Sequence, residues 1–297
     1  MQNNVLNDIF FHRFGIPKSP YGESPFVNDQ CDTTSHMKLQ RPFLNLVALW
    51  AVLFTITGCT HRQVPAPATE CVTDVIVAAS GMVPSDTRQL MVALPAGSDA
   101  TRGVVYLFER HGTGWSLQAG PLPAMVGRNG FARPGEKREG DGRTLSGLFP
   151  LEFAFGDAPV MTTKMPYRHA TDDDLWVDDA HAPDYNQWVR RGQTTASSFE
   201  EMKRVDHRYR YGLVVGYNRH PVVAGFGSAI FIHVWLEEGI STSGCIALSE
   251  ADLVAILAWL DPENKPLILM GDPRHLSLLP GWSGVASTPV RCGRAEP

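Results

Sequence analysis

The feature that most limits the fold is a succession of short, apolar, strand-like segments divided by turn residues. Segments 89–94, 103–109 and 115–119 are rich in β-branched, aliphatic and aromatic residues, with Gly, Pro, Ser and Asp between them. Residues 74–79 read as a further strand ahead of these, and the pattern returns at 211–217, 228–235 and 266–270. Strands this short cannot each bury a face alone, so they are expected to share one core. Within 228–235, Ile230, Ile232 and Val234 fall on one face, and Phe231, His233 and Trp235 on the other. One helix stands out: Ser249 can cap it, Asp252 lies three residues on, and Leu253, Ile256, Leu257 and Leu260 keep helical spacing before Pro262. The expected class is mostly β with a few helices (α+β), as one domain over residues 74–275.

Two stretches interrupt the strands. Residues 127–147 are glycine-rich and charged, and they lack the Gly-Lys-Ser/Thr ending of a phosphate cradle. Their Arg128, Lys137, Arg138 and Arg143 suit either the carboxylates of an acidic ligand or solvent. Residues 160–208 are polar and aromatic, with a short helix expected at 198–204; so long an insertion in a compact domain suggests a functional loop or lid. Asp172, Asp173, Asp174, Asp178 and Asp179, near His169 and His181, show no metal-ligand spacing and read as solvated loop charge, so no metal is expected. The net charge of −5, without a local Lys/Arg run, argues against a nucleic-acid partner.

Ahead of the domain, Met37, Lys38 and Arg41 precede an apolar run at 43–56, shorter than the roughly 20 residues that span a bilayer. Ile56-Thr57-Gly58-Cys59 then resembles a bacterial lipobox. The expectation is an upstream extension at 1–36, a lipoprotein signal peptide at 37–58, a lipidated tether at 59–73 that starts on Cys59 and carries Pro65 and Pro67, and a C-terminal tail at 276–297. Two or three acyl chains anchor a protein stably. Thr60, rather than an aspartate, follows the lipidated residue, which points to the cell envelope, lipid-anchored to the outer membrane and facing the periplasm.

Of the five cysteines, Cys31 falls in the extension and Cys59 in the lipobox, leaving Cys71, Cys245 and Cys292. An odd number in an oxidising compartment leaves one thiol over. Cys71 and Cys292 lie near the two ends of the mature chain, so a disulfide between them is one pairing; sequence alone does not fix the connectivity.

Cys245 sits in Thr242-Ser243-Gly244-Cys245 just before the capped helix, and His233 precedes it on a strand, with Glu237-Glu238-Gly239 offering a reversal between them. A thiol is only a few per cent ionised at neutral pH, so an adjacent imidazole base makes the smallest competent nucleophile pair. Backbone amides at Ser243 and Gly244 are candidate oxyanion donors. A cysteine beside glycine is equally a packing residue, and a strand histidine equally a satisfied core one.

These residues resemble the L,D-transpeptidase catalytic domain of the YkuD type. The likeness rests on Ile232-His233, on Thr242-Ser243-Gly244-Cys245-Ile246, and on Gly142-Arg143-Thr144-Leu145-Ser146-Gly147-Leu148-Phe149-Pro150, and covers roughly residues 88–271. It implies a β-sandwich enzyme, without cofactor, whose Cys245 attacks an amide of a peptidoglycan stem peptide with His233 as base, forming an acyl-thioester. Arg128, Arg143, Tyr217 and Thr242 are candidate substrate contacts. Ser243 stands where the family has a second histidine, Ala247 where it has Arg or Asn, and Leu145 where it has proline. Amine or water therefore stay open as acyl acceptor. A carboxypeptidase or amidase of the same fold, or a non-catalytic peptidoglycan-binding lipoprotein, are the alternatives. The oligomeric state is left open.

Overall fold

The computed structural model describes residues 67–283. The extension with Cys31, the signal peptide, Cys59, Cys292 and the side chain of Cys71 lie outside the described residues. The helices are α1 (Pro67–Ala79), α2 (Glu250–Trp259) and α3 (Pro273–Leu276). The strands are β1 (Gln89–Pro95), β2 (Arg102–His111), β3 (Gly114–Met125), β4 (Gly147–Gly156), β5 (Tyr167–His169) and β6 (Asp174–Val177), followed by β7 (Trp188–Arg190), β8 (Phe199–Glu201), β9 (Tyr211–Val215), β10 (Phe231–Val234), β11 (Ile246–Leu248) and β12 (Leu267–Met270). The protein is mostly β with few helices, as expected.

Nine strands form one sheet in the order β12-β1-β2-β3-β11-β10-β9-β4-β5, and β12 also pairs with β4. The sandwich is thus one sheet folded round until it meets itself. Strand β1 is buried on both sides: Met91 and Ala93 join the interior core, while Leu90, Val92 and Leu94 join a second cluster outside it. That second cluster is covered by α1, which contributes Val72, Val75, Ile76 and Ala79.

Residues 74–79 are therefore helical, not a strand. Val72, Val75, Ile76 and Ala79 recur at helical spacing, and Val77 between them is exposed. The tether likewise ends early, because α1 opens on Pro67, whose fixed φ suits a first helical turn. The C-terminal tail does not begin at 276: Leu276, Leu279 and Trp282 pack into the same outer cluster, and the Ser283 amide donates to the Ala78 carbonyl at 2.8 Å. The folded region reaches past 74–275 at both ends.

Helix α2 follows its sequence signals. The Ser249 hydroxyl accepts from the Asp252 amide at 3.1 Å and donates to the Asp252 carboxylate at 2.6 Å. Leu253, Ile256 and Leu257 turn into the core. Ser249→Ala should lower unfolding free energy by about 1 kcal/mol, the usual worth of an N-cap, read as a lower urea midpoint with unchanged slope.

The insertion is not a structureless loop. Strand β5 extends the large sheet beside β4, and β6, β7 and β8 form a three-stranded sheet in the order β7-β6-β8. The helix expected at 198–204 is absent: residues 199–201 form β8, where Glu200 faces Trp176 across the ladder. Nor is Asp174 solvated. It is 2% exposed and accepts from the Thr171 amide and hydroxyl and from the Trp188 indole N–H at 2.6–2.9 Å, which fastens the turn before β6 to β7. Edge-to-face contacts then join Trp176, Phe155 and Tyr209 to Phe231 on β10, with centroids 4.9–5.7 Å apart. The insertion packs on the same face of β10 that carries His233.

Candidate functional site

Strands β10 and β11 run parallel, with His233 opposite Ala247 and Ile232 opposite Ile246. Extending that register by one step sets Cys245 beside Phe231. Cys245 and Ala247 thus share a face with Phe231 and His233, since facing residues of paired strands point to the same side. The turn at Glu237–Gly239 closes with the Ile240 amide on the Glu237 carbonyl at 3.2 Å, but the chain crosses over to continue parallel instead of returning as a hairpin.

The loop before Cys245 is locked from within. Thr242 donates its hydroxyl to the Cys245 carbonyl at 2.7 Å and accepts from the Gly244 amide at 3.1 Å. Thr144 donates to the same carbonyl at 3.2 Å and accepts from the Gly127 amide at 2.9 Å. The backbones of Gly127 and Thr242 pair as an isolated parallel bridge. Gly244 has φ +149, and a Cβ there would lie 3.0 Å from the Arg143 carbonyl, so glycine is needed for this close approach. These bonds correct two expectations. The Thr242 hydroxyl holds the loop instead of facing substrate, and the Gly244 amide is engaged by Thr242 and is not a free oxyanion donor.

Cys245 is partly exposed and packs against the aromatic cluster around Phe231. Its thiol donates to the Ala229 carbonyl at 3.2 Å, and its sulfur accepts from the Phe231 amide at 3.4 Å. Burial pushes the thiol up to about 12; the Glu200 carboxylate adds to this, while the Phe231 N–H, Lys137 and Arg208 oppose it. His233 is 4% exposed. Its Nδ1–H donates to the Val234 carbonyl at 2.8 Å, which leaves Nε2 as the unprotonated nitrogen. Burial, opposed by the Val234 carbonyl and Asp206 and aided by Arg208 and Arg204, lowers this histidine to about 4. Both partners are thus neutral near pH 7. They share a face without a hydrogen bond between them, each held by backbone.

Tyr209, at the centre of this arrangement, is buried, meets the His233 ring at 5.3 Å between centroids, and donates its hydroxyl to Glu200 at 3.3 Å. Arg204 pairs with Glu200 at 3.1 Å and with Asp206 at 2.8 Å, and Arg208 pairs with Asp206 at 2.7 Å. The Arg208 carbonyl accepts from the Val234 amide at 3.0 Å, which ties this charged cluster to the end of β10. Burial raises the Glu200 carboxyl above its ordinary range.

Of the other expected contacts, Arg128 and Ser243 are both exposed and meet at 3.3 Å above the loop. Arg143 contributes its carbonyl to the packing of Gly244, while its side chain is exposed. Tyr217 donates to the Phe226 carbonyl at 2.7 Å and packs edge-on against Phe149 at 5.5 Å. Sequence reasoning missed Glu200, Thr144 and the burial of Lys137. Thr144 lies within the element at 142–150, whereas Glu200 and the burial of Lys137 had no local signal.

The profile of YkuD, the L,D-transpeptidase catalytic domain, matches residues 98–290. Among solved structures, the crystal structure of the helical cell shape determining protein Pgp2 from Campylobacter jejuni is similar at 14% identity and a TM-score of 0.32, over 68% of this chain. The match spans 56% of that protein's chain. No curated protein sequence matches.

Proposed function

The chain belongs to the YkuD family of L,D-transpeptidase catalytic domains, and from that premise we propose that it is a cysteine-dependent L,D-transpeptidase of peptidoglycan stem peptides. The observation that carries this reading is a partly exposed thiol in a locked loop, on one face with a buried histidine whose Nε2 is unprotonated.

In the proposed reaction the thiol hydrogen leaves the Ala229 carbonyl and passes to His233 Nε2. The sulfur pair forms the C–S bond, and the carbonyl π pair moves to oxygen. With the Gly244 amide engaged by Thr242, the Ser243 and Cys245 amides are the backbone donors for that oxyanion. Catalytic hydrogen bonds of this kind often form only once substrate is seated, so their absence in the free protein is no obstacle. As the C–N bond breaks, the imidazolium proton goes to the departing amine, leaving an acyl-thioester. An incoming amine then gives its proton to His233, forms the new amide and releases the sulfur.

Mass spectrometry after incubation with a stem tetrapeptide tests this. The expected result is an acyl adduct on Cys245 that transfers to an added amine. An adduct lost only to water makes the protein a carboxypeptidase, and no adduct on the reduced, folded protein leaves it a peptidoglycan-binding lipoprotein. We further propose that Cys59 carries a lipid anchor, with the domain facing the periplasm from the outer membrane. The native N-terminal peptide should begin at an acylated Cys59; an unmodified chain retaining Met37 would overturn this.

A further inference from the structure

Lys137 is a buried cation behind the nucleophile loop. Its side chain is 5% exposed, and its Nζ donates to the Asp141 carboxylate at 2.5 Å and to the Arg138 carbonyl at 2.9 Å. An ammonium has three donors, so one remains. The same Nζ lies 3.5 Å from where a Cβ on Gly244 would stand, one residue before Cys245. Its stem passes Gly227, φ +105, at 3.2 Å from the position a Cβ would take. Two glycines therefore leave the space through which a desolvated positive charge reaches the back of the loop.

This site has need of a charge. The Gly244 amide is engaged by Thr242, and Arg128 and Arg143, two other cations near the loop, are exposed. Buried, fixed charges stabilise developing charge far better than solvated ones. The remaining ionisable groups around the thiol do not fill the role alone. Glu200, on β8, disfavours the thiolate, and Tyr209 and His233 are neutral. Arg208 favours it less than Lys137 does, and each is paired with an aspartate, so pairing does not separate them; the approach of Lys137 to Gly244 does.

We propose that Lys137 is the electrostatic stabiliser of this site, holding the negative charge that develops on the Cys245 sulfur and on the oxygen of its acyl adduct. The proposal rests on Cys245 being the nucleophile. Its function is charge, not merely support of the loop, so the test separates the two. Site-resolved alkylation of Cys245 by iodoacetamide, followed by peptide mass spectrometry on the full chain between pH 6 and 9, reads thiolate availability directly. Lys137→Met and Lys137→Gln should each slow alkylation by about tenfold at every pH, as when a thiol's pKa rises by roughly one. Lys137→Arg should stay within about threefold of the unaltered protein, because the charge is kept. Acylation by the stem tetrapeptide should fall in the same order. Should Lys137→Met fail to give a cooperative melt, the Gln and Arg variants decide.

Alkylation unchanged in Lys137→Gln overturns the proposal. So does Lys137→Arg as slow as Lys137→Gln, because a loop-supporting lysine predicts that result. Failure of the nucleophile assignment shows elsewhere, as turnover that survives Cys245→Ala.

Discussion

Cys245→Ala should lower turnover of a stem tetrapeptide by at least about 10⁴-fold and abolish the acyl adduct, because removing a covalent nucleophile removes the intermediate itself. The fold should persist. The thiol's two hydrogen-bonding partners are both backbone groups, the Ala229 carbonyl and the Phe231 amide. Thr242 and Thr144 hold the loop through the Cys245 carbonyl, which alanine retains. The expected loss is about 1 kcal/mol, the net worth of an ordinary hydrogen bond, measured as a small shift of the urea midpoint. Near-full turnover by a folded Cys245→Ala protein would sink the acyl-thioester mechanism. An inactive protein with a broad, early melt would show instead that the cysteine is a packing residue.

What could be read before the structure follows from how local each signal is. Ser249 and Asp252 are three residues apart, so the cap of α2 was visible in a short window, as was the alternation of Ile230, Ile232 and Val234 against Phe231 and His233. The misreadings have the opposite cause. A window of 74–79 shows Val75, Ile76 and Val77 in a row, and only when Val72 is added does the helical period of α1 emerge. Phe199–Glu201 has no strong strand signal; it is a strand because Leu175–Val177 of β6 supplies its hydrogen-bonding partner. The site divides the same way. Motif residues gave Cys245 and His233. The engagement of the Gly244 amide, the burial of Asp174 and the path of Lys137 past Gly227 depend on segments that only the folded chain brings together.

His233 carries the second large effect. His233→Ala should slow acylation by about 10²–10⁴-fold, the usual contribution of a general base. The pH dependence distinguishes this base from an ordinary one. With the imidazole lowered to about 4 by burial, the acid limb of kcat/KM should fall near pH 4 instead of the ordinary 6.5, with a plateau through neutrality. The same lowering links to stability with a definite sign. Above pH 6.5 the histidine is neutral in both folded and unfolded chains, so nothing is lost. Between 6.5 and 4 the unfolded chain binds a proton that the buried ring refuses, and the native state loses up to about 3 kcal/mol across that window. His233→Gln has no such proton to gain, so its stability relative to the unaltered protein should improve as pH falls from 6.5 to 4. Urea titrations of both proteins at several pH values read this directly. Parallel stability curves, together with an acid limb at 6.5, would mean that the ring titrates as if solvated, and His233 would lose its role as the neutral base held ready beside Cys245.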